Sequence, residues 1–267
     1  ARWFGASGLC ILQLLIGFWI FLIYEKWNKK LKFQRALFLG IALIFLLHIT
    51  GSFLIAPKER SNGYPIAAWQ TNIPTREKRF LNNKTMFEKV ISAQKETLSK
   101  EAKLLVAPEG TLKTNFRMNI PSMVDTLAGG FRMSEGNLRS SILAFKKGDS
   151  NYTSFIDKNR LVPLGEKVPK FLNLFSGGLS SMGGLQPGDN SRYFDWGRTP
   201  PLAIAICYEI SDGVKIRHAV NMGSELILSI SNLDPYPVKI QNQFLSLAII
   251  RSIENNRDNI IISNTGP

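Results

Sequence analysis

Histidine and cysteine are nearly missing from this chain, each occurring twice in 267 residues. Two cysteines exclude a disulfide scaffold, and two histidines leave too little for a zinc finger or a His-rich metal cluster. There is also no internal repeat, no low-complexity tract and no basic patch interleaved with aromatics. Its 33 Lys plus Arg exceed 20 Asp plus Glu by 13, yet nucleic acid is a poor partner for that excess without such a patch. Disorder is excluded, because 17 Phe, 5 Trp and abundant Ile and Leu supply ample surface to bury.

What is present is unevenly spread. Trp3 to Tyr24 is a run of 22 residues without a charge, and Ala36 to Ala56 another of 21. As helices each would span roughly 30 Å, the thickness of a bilayer's hydrocarbon core. A signal peptide does not fit the first run: its apolar part is too long, and a second span follows instead of a small-residue cleavage site. Two transmembrane helices over 1–56 are therefore expected. Trp3, Tyr24 and Trp27 fall near the interfaces and Trp19 somewhat inside, while His48 reads as a neutral packing residue.

Between the spans, residues 25–35 carry Lys26, Lys29, Lys30, Lys32 and Arg35 against Glu25 alone. Short Lys- and Arg-rich loops stay in the cytoplasm, which sends everything after Pro57 to the opposite side. The net charge thus splits into +6 before residue 61, largely an orientation signal, and a mild +7 after it. Anionic lipid headgroups are the natural partner.

After a linker at 57–63, the pattern alternates. Strands are expected at 64–70, 103–107 (ended by Pro108), 139–146, 152–158, 201–206, 225–231 and 259–263, and helices at 77–102, 211–222 and 238–257. Such alternation argues an α/β sandwich over 64–267. Residues 110–136 and 165–200 resist the scheme and read as long loops; in the second, Phe171, Leu172, Leu174 and Phe175 form an apolar knot suited to touching lipid or covering a site. The chain opens at Ala1 without methionine and stops at Pro267 just after a strand-like run, so a fragment truncated at its C-terminal end is expected.

Cys207 follows the apolar strand 201–206, where α/β folds place chemistry, although a lone cysteine reads first as a small apolar residue. A thiol needs a base or a cation nearby to act as a nucleophile. Histidine is a poor candidate, since His48 lies in a span and His218 on the helix after Cys207. Glu109 and Lys158, each at a strand end, offer a carboxylate base and a cation; either could equally be a turn carboxylate or a solvated edge lysine. Glu166 and Glu209 read as supporting acids or as ordinary surface acids.

The motifs APEG around Glu109, DKNRLVPLGEKVP around Lys158 and AICYEI around Cys207, with SNTGP near the end, resemble the Glu-Lys-Cys pattern of the nitrilase (carbon-nitrogen hydrolase) superfamily. With two spans ahead of them, they resemble its membrane-bound branch that N-acylates apolipoproteins. The resemblance implies an α-β-β-α sandwich, with Cys207 as the acylated nucleophile, Glu109 as general base and Lys158 as the oxyanion's cation. It also implies an oxyanion contact from the Tyr208 backbone N–H, supporting roles for Glu166 and Glu209, and no metal or organic cofactor. The implied reaction takes a fatty acyl group from a phospholipid donor to the α-amino group of a diacylglyceryl-apolipoprotein acceptor, in a monomer of the bacterial inner membrane with its catalytic domain on the periplasmic face. The branch usually has more helices before Ala1, and strands and a closing helix after Pro267. This chain departs from the pattern at SNLDPYP (231–237), where SNDAWF is usual, and near Ser140, where an asparagine is expected. A tethered amidase and a non-catalytic lipoprotein-binding module are the rival readings.

Overall fold

The structure, a computed structural model, describes residues 5–54, 63–78, 80–114, 116–163, 165–166 and 184–266. The apolar knot at 171–175, Trp3 and all of the 57–63 linker but Gly63 lie outside them. The chain divides into two compact units, Ala1–Gly63 and Tyr64–Pro267.

The first unit is a helical hairpin of α1 (Gly5–Asn28) and α2 (Gln34–Leu54). Both helices are long and apolar enough to cross a membrane, and none of their apolar windows is buried. Leu14, Phe38 and Phe45 are each more than 60 % exposed, as expected of helices that are apolar all round. Trp19 lies inside the span for a packing reason: its indole N–H donates to the Ala36 carbonyl at 3.0 Å. Its ring also fills the space beside Gly40, where a Cβ would fall 2.1 Å away. His48 is exposed on α2, its Nδ1 3.0 Å from the Ile44 carbonyl oxygen.

The second unit is an α-β-β-α sandwich. One sheet has the order β1 (Ile66–Ala68), β2 (Leu104–Leu112), β3 (Asp125–Ser134), β4 (Asn137–Phe145), β5 (Ser154–Asp157). The other runs β6 (Tyr193–Phe194), β7 (Leu202–Ile206), β8 (Leu226–Ser231), β9 (Asp258–Ser263). β1, β2 and β3 are parallel, β4 and β5 antiparallel additions; β7, β8 and β9 are parallel with β6 antiparallel at the edge.

Alternation along the strands builds the layers. Leu104, Val106, Leu127, Ile142, Ile204, Ile206, Leu228 and Ile230 meet between the sheets. The opposite faces carry Ala107, Ala128 and Leu143 against Met86 and Val90 of α4 (Asn83–Ser99), and Ala203, Ala205 and Ile227 against Ile216 of α5 (Gly213–Asn221) and Ala248 of α6 (Val238–Asn255). The alanines leave the helices room to approach the second sheet.

Four expectations change. The helix expected over 77–102 is a short α3 (Thr75–Lys78) and then α4, started afresh by Asn82, whose side chain accepts from Thr85 N–H at 2.8 Å. The strand expected to end at Pro108 continues to Leu112 through a register shift between Ala107 and Leu112. Residues 110–136 contain β3, which pairs with β4 from Thr126 to Ser134. Its Gly129-Gly130 pair reads as a loop signal, yet serves close approach: a Cβ on Gly129 would lie 2.4 Å from the Pro108 carbonyl oxygen. Of the second expected loop, Leu185 bridges to Leu138 and Tyr193–Phe194 forms β6.

Candidate active site

Glu109 sits on the bulge of β2. A proline in a strand removes a ladder donor and is tolerated where pairing is already broken, as here. Thr111 Oγ1 donates to the freed Pro108 carbonyl at 2.7 Å, and Gly110 takes a φ of +67°. The bulge turns Glu109 inward, 6 % exposed. Its Oε1 accepts from Lys158 Nζ at 2.9 Å and more weakly from the Ser140 hydroxyl at 3.4 Å. Its Oε2 accepts from the Asn232 N–H at 3.2 Å. Ser140, near which an asparagine is expected, is thus itself directed at Glu109.

Lys158 follows β5 directly, and its N–H extends the ladder to the Ser140 carbonyl at 2.8 Å. Its side chain is fully buried. Nζ donates to Glu109 and, at 2.6 Å, to Glu166 Oε1. Glu166 closes a turn on Val162: its Oε2 accepts from Val162 N–H at 2.8 Å, and its own N–H donates to the Val162 carbonyl at 2.9 Å. Burial works to discharge Lys158, but its neighbours, Glu109 first and then Cys207 and Glu166, outweigh it and hold its pKa above the ordinary lysine value. Burial raises the Glu166 carboxyl, against the pull of Lys158.

Cys207 follows β7 directly and starts a 3-10 turn, Cys207–Ser211. Its φ of +54° is rare for a residue with a Cβ, and such strain persists where surrounding structure holds it. Glu209 supplies that hold. It is 2 % exposed, and its carboxylate accepts from Ile206 N–H (2.9 Å), Asn159 N–H (2.6 Å) and Arg160 N–H (3.1 Å). Arg192 Nη1 adds donors to both oxygens at 3.0 and 3.1 Å. One carboxylate thereby ties the turn after β7 to the segment after Lys158. The half-buried Tyr208 ring lies under Arg160, with 4.9 Å from the guanidinium carbon to the ring centroid.

Burial, then the Glu109 charge, raises the Cys207 thiol pKa well above its usual value, while Lys158 pulls it down; Glu109 is also the hydrogen-bond partner that favours the thiol form. In the resting site the sulfur therefore keeps its proton, next to a carboxylate able to take it.

The structure brings Glu109, Lys158, Glu166 and Cys207 together, with Glu209 behind the turn. His218 is exposed on α5 and takes no part. Three neighbours escaped sequence reasoning. Arg192, 1 % exposed, sits in a Pro-, Gly- and Asp-rich stretch that reads as solvated. Lys78 is 8 % exposed, its Nζ without a hydrogen-bond partner among the described residues, near Glu109 and Asp234. Tyr236 belongs to the segment already singled out as a departure. That segment is pinned to the site by Asn232, by Asp234 Oδ2 accepting from Thr75 N–H at 2.9 Å, and by the buried Asn264, whose Oδ1 accepts from Leu233 N–H at 2.9 Å. Among the described residues no cluster of His, Cys, Asp and Glu suited to a metal occurs.

No family model matches the chain. Across its whole length it is 61% identical to an apolipoprotein N-acyltransferase of Prochlorococcus marinus subsp. pastoris, covering 54% of that protein, and over 98% of its length 26% identical to one of Thermotoga maritima, covering 50%. The chain thus spans about half the length of these curated relatives. In fold it is similar to an amidase from Nesterenkonia sp. (TM-score 0.53, 15% identity, 78% of each chain). It is equally similar to a Saccharomyces cerevisiae member of branch 10 of the nitrilase superfamily (TM-score 0.53, 16% identity, 78% of each chain).

Proposed function

We propose that this chain, a homologue along its whole length of apolipoprotein N-acyltransferases and built on the nitrilase-superfamily fold, carries the reaction centre of a membrane acyltransferase. The enzyme moves a fatty acyl group from a phospholipid, through a Cys207 thioester, to the α-amino group of a diacylglyceryl-cysteine at a lipoprotein's N-terminus. The observation that carries this reading is the buried Lys158, held by Glu109 and Glu166 beside the Cys207 thiol.

Each half of the reaction follows from those positions. As Cys207 Sγ attacks the ester carbonyl, Glu109 takes the thiol proton. The carbonyl oxygen becomes an oxyanion facing the Lys158 ammonium, two of whose three N–H bonds already go to glutamates, and the Tyr208 backbone N–H. Collapse breaks the ester C–O bond, and the departing lysophospholipid oxygen takes the proton from Glu109. In the second half the amine attacks the thioester, Glu109 accepts a proton from it, and the expelled thiolate takes that proton back. Glu166 holds the ammonium in place. Glu209 holds the strained turn that presents the nucleophile.

The hairpin supports a place in the bacterial inner membrane, its basic 25–35 loop in the cytoplasm and the sandwich on the periplasmic side. The test is mass spectrometry of the Cys207 peptide after incubating the full-length protein with phospholipid alone. A mass increase of one acyl chain, lost in Cys207→Ser, is expected. An unmodified wild-type peptide would refute acyl transfer and favour an amidase.

A further inference from the structure

The segment after β8 departs from the pattern of the resembled branch, and it is also built into the site. Its Asn232 N–H binds Glu109, and Tyr236 follows four residues later. The Tyr236 backbone is fixed on both sides, its N–H donating to the Leu233 carbonyl at 3.0 Å and its carbonyl accepting from Gln241 Nε2 at 2.9 Å. Its ring stacks on Phe244 of α6, with centroids 6.4 Å apart and planes 28° apart. The ring is therefore held while the hydroxyl is free to serve a ligand: among the described residues none hydrogen-bonds it, and the residue is only half-buried. The titratable groups that act on this hydroxyl are Cys207, Lys158, Glu166 and Glu109, the same four that form the proposed reaction centre.

Building on the acyl-transfer reading, we propose that Tyr236 contacts the acyl donor, its hydroxyl donating a hydrogen bond to the ester oxygen that leaves with the lysophospholipid. The phenol is suited to donate. Burial, then the neighbouring Cys207, Glu166 and Glu109, raise its pKa and keep it protonated, with Lys158 acting the other way. Of the two ester oxygens, the carbonyl oxygen is served by Lys158 and the Tyr208 N–H, which leaves the bridging oxygen in need of a donor. As the C–O bond breaks, that oxygen gains charge and takes its proton from Glu109, while the phenol keeps its own. In the second half-reaction no alkoxide departs, and an attacking amine must keep its lone pair free. The hydroxyl thus acts on the first half alone.

Tyr236→Phe preserves the ring and its stack, so the full-length variant tests the hydroxyl without removing packing. Thioester formation on Cys207 from phospholipid should slow about tenfold, the effect of one lost hydrogen bond to developing charge. With the p-nitrophenyl ester of the same fatty acid, whose phenolate leaves without help, the variant should stay within twofold of wild type. Transfer from preformed thioester to a diacylglyceryl-cysteine peptide should also stay within twofold. Equal losses on both donors, no loss on phospholipid, or a slowed second half would each overturn the assignment. A wild type that forms no thioester from phospholipid would overturn the acyl-transfer reading and this inference with it.

Discussion

Replacing Lys78 by methionine should stabilise the protein, although it removes a charge beside two carboxylates. The Lys78 side chain is 8 % exposed, and its Nζ has no hydrogen-bond partner among the described residues. Burial lowers its pKa from 10.5 to about 8, and the nearby charges of Glu109 and Asp234 only partly offset that. At 1.36 kcal/mol per pKa unit, the folded state is disfavoured by about 3 kcal/mol when the lysine is charged. The sign follows from proton binding. Below pH 8 both folded and unfolded chains carry the proton, and the full penalty applies; between pH 8 and 10.5 the unfolded chain binds more, so stability rises with pH. Methionine fills nearly the same volume without the charge. Thermal denaturation of purified wild type and Lys78→Met at pH 7 should therefore differ by several degrees in favour of the variant, since about 1 kcal/mol moves Tm by roughly 2–4 °C in a domain of this size. The gap should narrow as pH approaches 10. A variant that melts lower at pH 7, or two curves that stay parallel with pH, would refute the reasoning.

Gly129→Ala should misplace the proposed base, because the new methyl would meet backbone: Pro108 O at 2.4 Å and Glu109 Cα at 2.5 Å. Thioester formation is expected to fall at least tenfold and stability by about 1–3 kcal/mol, read by acylation rate and chemical denaturation; wild-type rates would contradict it. Glu209→Gln leaves Arg192 buried without its counter-charge and sets an amide N–H₂ among donors. A loss of about 3 kcal/mol is expected in urea denaturation, and less than 1 kcal/mol would show that Arg192 finds compensation elsewhere.

The strands that sequence reasoning recognised, such as β7 and β8, are short apolar runs whose burial on both faces leaves little choice of residue. β3 escaped because its defining residues are a buried Asp125, Thr126 and two glycines, chosen for partners and clearance and not for apolar surface. Asp125 accepts from Lys147 N–H at 2.8 Å and from the Arg198 guanidinium, contacts made across the fold and invisible along it. The same contrast holds in the site. Glu109, Lys158 and Cys207 announce themselves through neighbours at short spacing, whereas Arg192 and Lys78 take their meaning from residues 17 or more positions away. A side chain whose partner is distant leaves no local trace.

The bonds that assemble the candidate site are long in sequence. Lys158 meets Glu109 across 49 positions, Glu209 meets Asn159 across 50, and Asn232 reaches Glu109 across 123. Each is a loop closure that must be made before the contact returns any free energy, so the centre cannot form ahead of the docking of the two sheets. Assembly of the site thereby becomes a late event in folding. Its recovery after denaturation should track burial of the inter-sheet core and lag behind the appearance of helix.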